Sequence, residues 1–156
     1  MSKKPNPIPE GQGTAVPYLC AHDAAEALAF YAKAFGAVET MRMAGPDGRV
    51  GHAEFRVGGA TFMLSDEHPE FAVLSPRTLK GSPVAMHLYV EDVDALARRA
   101  VEAGATLVRP IKDEFYGDRS AVLTDPFGHR WFFASRIEEV SAEDLQRRHD
   151  AMTKGT

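Results

Sequence analysis

Val16 to Cys20 is a short apolar run, partly β-branched, that breaks off at His22-Asp23. Asp23, with Glu26 three residues on, has the spacing of a helix N-cap and capping box. Ala24, Leu28, Tyr31, Ala32 and Phe35 then recur at helical intervals before Gly36, a residue suited to ending a helix in the left-handed conformation. The pattern predicts a helix over 24–35. Three strand-like runs follow, 38–43, 50–57 and 60–65, separated by Gly45-Pro-Asp-Gly48 and by Gly58-Gly59, residue types that build tight turns. The order is βαβββ.

The same order then starts again. Residues 84–90 alternate as a strand, Asp92 can cap a helix carrying Val93, Leu96, Ala97, Ala100 and Val101, and Gly104 ends it. Runs at 106–111, 120–124 and 130–134 give three more strands, with turns at Tyr116-Gly117-Asp118 and Asp125-Pro126-Phe127-Gly128. Tyr18 and His87, Asp23 and Asp92, and Gly59 and Gly128 each stand 69 positions apart; Gly36 and Gly104 differ by 68. The chain therefore divides into a flexible arm (1–12), module one (13–66), a linker (67–82) rich in Pro and Gly, module two (83–136), and a C-terminal segment (137–156). In the last of these, Ser141 with Asp144 caps a polar helix over 142–152. The fold class is α+β: two βαβββ modules whose curved mixed sheets enclose a cavity.

Each module has four strands and one helix to cover them, so one face of each sheet lacks a cover. In 51–57, Ala53, Phe55 and Val57 form the apolar side, and His52, Glu54 and Arg56 the other. Met86, Leu88 and Val90 go to the helix by the same alternation, and His87 and Tyr89 join His52 and Glu54. Trp131 faces the helix and Phe132 the opposite side.

Composition narrows the function classes. The chain has 156 residues, 44% hydrophobic and 26% charged, with 18 Lys and Arg against 22 Asp and Glu. That balance, and the lack of a basic stripe, argues against a nucleic-acid partner. The longest stretch free of Asp, Glu, Lys and Arg runs from Gly11 to His22, short of the roughly 20 apolar residues of a membrane helix. One cysteine, Cys20, permits no internal disulfide. The arm holds Pro5, Pro7 and Pro9 without an apolar core, unlike a signal peptide. A cytoplasmic protein without a membrane partner is expected. The glycine turns precede no helix, which excludes a phosphate loop.

The paired modules, the segment His87 to Leu96 (HLYVEDVDAL) and the segment Tyr116 to Trp131 (YGDRSAVLTDPFGHRW) resemble the vicinal oxygen chelate superfamily, in its PhnB-like, glyoxalase/bleomycin resistance branch. The superfamily includes glyoxalase I, extradiol dioxygenases, fosfomycin-resistance enzymes and bleomycin-binding proteins. Its metal enzymes draw ligands from the first and fourth strand of each module. The resemblance places those four positions at Tyr18, Met63, His87 and Phe132, of which only His87 is a good ligand for a divalent ion.

The expectation is a small-molecule-binding homodimer with no cofactor, its pocket lined by Tyr18, His52, Glu54, Met63, His87, Tyr89, Tyr116, Arg119 and Phe132. The alternative is a metal-dependent lyase, isomerase or dioxygenase acting on vicinal oxygens, with His52, Glu54 and His87 holding Fe, Mn, Zn or Ni. Competing roles exist for several of these residues. Met and aromatic side chains serve as core, and Arg119 can form a surface salt bridge with Asp118 or Glu114. His22, His68 and His129 read as cap, linker and turn residues. Cys20, without a base beside it, reads as an inert thiol.

Overall fold

The structure is a computed structural model that describes residues 4–154. Residues 1–3 of the expected arm and 155–156 of the expected tail lie outside the described residues. The chain forms two compact units that part between Gly81 and Ser82.

Unit one contains β1 (Tyr18–Ala21), α1 (Ala24–Phe35), β2 (Val38–Ala44), β3 (Val50–Val57) and β4 (Ala60–Asp66). The sheet order is β1-β4-β3-β2, with β1 parallel to β4 and the other pairs antiparallel. Asp23 caps α1, its side chain accepting from the Glu26 amide, and Gly36 closes the helix at φ 68°, a left-handed conformation that costs glycine no steric strain. Tyr31 on α1 stacks on Phe55, which stacks on Phe62, with ring centroids 5.1 and 5.2 Å apart. These rings, with Ala53 and Leu64, are fully or almost fully buried and form the core under the helix. The expected linker is not featureless: it holds a 3₁₀ turn (Pro69–Phe71) and a one-turn helix, α2 (Pro76–Leu79), capped by Ser75.

Unit two contains β5 (Ala85–Tyr89), α3 (Val93–Ala103), β6 (Thr106–Asp113), β7 (Asp118–Thr124), β8 (Arg130–Arg136) and α4 (Ala142–Thr153). Its sheet order, β5-β8-β7-β6, repeats that of unit one, again with the first pair parallel. Trp131 and Phe133 stack 6.0 Å apart on the helix side with Ala121 and Leu123.

Strand register repeats as well. Tyr18 pairs with Met63, and His87 with Phe132, both residues displaced by 69. Glu54 pairs with Met63 while Val122 pairs with Phe132, so on the third strand of each module the offset is 68. Five residues separate the paired Thr124 and Arg130, against four between Arg56 and Thr61. The Asp125-to-His129 turn therefore restores the residue lost in the shorter second helix.

Candidate functional site

In unit one the face away from α1 is built row by row. Tyr18, Met63, Glu54 and Met41 lie side by side across the four strands. Strand pleating puts their side chains on the face opposite Phe55, Phe62 and Leu64. His52, one row away on the same face, joins two of them. Its Nδ1 is 2.7 Å from the Tyr18 hydroxyl and its Nε2 is 3.4 Å from Glu54 Oε1. The Tyr18 and His52 rings meet edge to face at 83°. Gln12, from the segment before β1, donates its side-chain amide to Glu54 Oε2 at 2.8 Å. The end of the expected flexible arm is thus held against the site. Tyr18 is 55% exposed, while the side chains of His52 and Glu54 keep only 17% and 15%.

In unit two the corresponding face carries His87, Phe132 and Val122 in one row and Tyr89, Ala134 and Ser120 in the next. His87 stacks on Phe132 at 6.3 Å and meets Tyr89 edge-on at 5.1 Å. The Tyr89 hydroxyl donates to Asp118 Oδ2 at 2.9 Å, and Arg136 Nε donates to Asp118 Oδ1 at 2.5 Å. The Arg136 guanidinium also lies over the Tyr89 ring. Beside them Glu114, its side chain only 8% exposed, takes bonds from Ser120 and Arg109 and an ion pair from Lys112. Tyr116, in the β6–β7 turn, has its phenol pushed above the ordinary range by burial first and by the Glu114 carboxylate second.

The structure brings Tyr18, His52, Glu54 and Met63 together in unit one, and His87, Tyr89 and Phe132 in unit two, with Tyr116 on the adjoining turn. Arg119 does not join them. Strand alternation turns it to the helix side of β7, where it grips both Asp94 carboxylate oxygens on α3 at 2.7 and 2.9 Å and Asp113 at 2.8 Å. Its partners are thus also not the expected Asp118 or Glu114. Trp131 faces the helix as expected, and its indole donates to Asp125 at 2.9 Å. His129 is a buried turn residue whose amide donates to the same carboxylate. Burial, with Glu67 and Asp66 nearby, pushes the Cys20 thiol up to about 11, so it is poorly nucleophilic. Gln12, Asp118, Arg136 and Glu114 are the residues that sequence reasoning missed. Asp118 carried a signal, its parity with Ser120, which was masked because Tyr-Gly-Asp reads as a turn. A separate polar cleft of about 470 Å³ at the start of α1, lined in part by His22, Asp47, Arg49 and Glu67, engages none of the expected site residues.

The profile of the Glyoxalase/Bleomycin resistance protein/Dioxygenase superfamily matches residues 14–133. The chain belongs to this superfamily. An uncharacterised protein of Mycobacterium bovis is 46% identical over 133 residues, spanning 83% of this chain and 88% of the relative. Among solved structures, a gene product of Arabidopsis thaliana aligns with a TM-score of 0.63 at 30% identity, covering 78% of this chain and 98% of that one. TioX from Micromonospora aligns with a TM-score of 0.62 at 27% identity, over 78% and 97%.

The superfamily resemblance implies that the ligand positions of its metal enzymes fall at Tyr18, Met63, His87 and Phe132. A phenyl ring offers no donor and a thioether is a soft ligand, so of the four only Tyr18 and His87 carry an oxygen or nitrogen donor. This donor set does not fit the ion. Among the described residues, no cluster of three His, Cys, Asp or Glu side chains is placed to hold a metal.

Proposed function

We propose that this superfamily member binds a small organic molecule on its uncovered sheet faces, without a resident divalent metal, and works as a cytoplasmic homodimer of the PhnB-like kind. The observation that carries this reading is the chemistry of the four inward positions. Where metal enzymes of the superfamily present ligands, this chain presents a phenol, a thioether, one imidazole and a phenyl ring, a surface for flat apolar groups. Tyr18 and Tyr89 remain 55% and 59% exposed on those faces. Their hydroxyls are tied down by His52 and Asp118, so the rings are held in place before a ligand arrives. The single cysteine suits a reducing compartment, and among the described residues no helix is long and apolar enough to cross a membrane.

A thermal-shift screen in excess EDTA against small aromatic acids, phenols and aliphatic controls tests the binding. At least one aromatic class is expected to raise the Tm, and Tyr18→Ala or Tyr89→Ala is expected to remove that rise. A screen without any concentration-dependent stabilisation would overturn the reading.

A further inference from the structure

We infer that Tyr18, His52 and Glu54 form a proton-accepting site for the acidic hydroxyl of an aromatic or enolic ligand. This rests on the metal-free binding reading and names the ligand class for unit one.

Donor and acceptor bookkeeping fixes the direction of the chain of bonds. Glu54 is approached through one oxygen by the Gln12 amide, a donor, and through the other by His52 Nε2. A carboxylate only accepts, so His52 Nε2 carries its hydrogen and Nδ1 presents a lone pair. The Tyr18 hydroxyl, 2.7 Å away, must then donate to Nδ1. That arrangement leaves the phenolic oxygen able to accept a hydrogen bond, on a residue that is 55% exposed. The bonded path runs from an open phenol to a carboxylate that keeps only 15% of its side-chain exposure.

A hydroxyl placed on the Tyr18 oxygen can hand over its proton in one concerted shift. The ligand O–H bond breaks as a new Tyr18 O–H bond forms. The original Tyr18 O–H bond breaks as His52 Nδ1 gains the proton. The ligand becomes an anion, His52 an imidazolium held against Glu54, and no oxidant or other co-reactant is involved. Imidazole is the side chain suited to taking and returning a proton near neutral pH. Met63 and Met41, in the same row of the sheet as Tyr18, offer polarizable surface for the ring that bears the hydroxyl.

Unit two supplies an internal control. By strand register, the positions of His52 and Glu54 are taken there by Ser120 and Val122, and the same sheet forms without the relay. The chain of bonds in unit one is therefore not a requirement of the fold.

The test uses 4-nitrophenol, whose phenolate has its own absorption band, and 4-nitroanisole, the same ring without the proton. With full-length protein in EDTA, at a pH where the free probe is mostly neutral, the bound probe is expected to show a phenolate-to-phenol ratio about tenfold above that of the free probe. Tyr18→Phe and His52→Gln should keep the Tm and circular dichroism of the parent, while the ratio falls to that of free probe. Glu54→Gln should lower it without abolishing binding. A bound probe that stays neutral, or a His52→Gln protein with an unchanged ratio, would overturn the proposal. So would nitroanisole binding as tightly as nitrophenol, although the binding reading would then stand. Failure of both probes to bind in calorimetry would overturn the ligand class, leaving the wider screen to judge the binding reading.

Discussion

Asp66 and Ser135 occupy equivalent places at the ends of β4 and β8, and each holds the start of its module's helix. Asp66 accepts from the Ala24 amide at 2.8 Å and the Val50 amide at 2.6 Å. Ser135 accepts from the Val93 amide at 3.0 Å and donates to the Val90 carbonyl. Removing a partner from a buried donor costs about 1–3 kcal/mol. Asp66→Ala, which orphans two, is therefore expected to lower unfolding free energy in urea by at least about 2 kcal/mol. A second prediction concerns Arg119: because its guanidinium is spent on Asp94 and Asp113 on the helix side, Arg119→Ala should leave ligand affinity unchanged in calorimetry. A third concerns Cys20. With its thiol pushed up to about 11, above the ordinary range of a free cysteine, its thiolate fraction near neutral pH is at least about a hundredfold smaller. Alkylation by iodoacetamide at neutral pH should be slower than that of a free cysteine by a similar factor, until urea unfolds the protein.

At the scale of elements, punctuation made the sequence legible. Asp23 and Asp92 cap α1 and α3 at the expected residues, because a side-chain oxygen three positions ahead of an amide is a local device. The linker helix α2 went unread, although Ser75-Pro76 carries the same kind of signal. β7 begins at Asp118, two residues before expectation, because Asp118 is bound from the next strand by Arg136 and from β5 by Tyr89, partners that no local pattern can announce. The same reason hid Gln12, whose side chain is bonded to Glu54, 42 residues away. Alternation correctly put His52 and Glu54 on one face, and the rule of period two also places Arg119 with Ala121 on the other. The tight β6–β7 turn yields a further prediction. Gly117 sits at φ 93°, and a Cβ there would run into the Glu138 carbonyl oxygen and come within 2.9 Å of Val140 Cγ2. Gly117→Ala is expected to destabilise the fold by more than about 1 kcal/mol in denaturant titration.

At the scale of the molecule, each unit repeats one order of strands, one register and one way of anchoring a helix. Units of this size are marginal alone, and the proposed homodimer is checked by light scattering after size exclusion. The expected mass is twice the 17.0 kDa of one chain, and a mass of one chain would refute it. What the superfamily's shared fold leaves open is the chemistry, and the proposed metal-free site rests on four side chains and not on the topology that carries them. Elemental analysis of protein purified without a histidine tag tests that point most directly. Fe, Mn, Zn and Ni are expected far below one equivalent per chain, with ligand affinity unchanged by EDTA, the outcome a metal-free site requires. One equivalent of such a metal, lost together with ligand binding in His87→Ala, would contradict it.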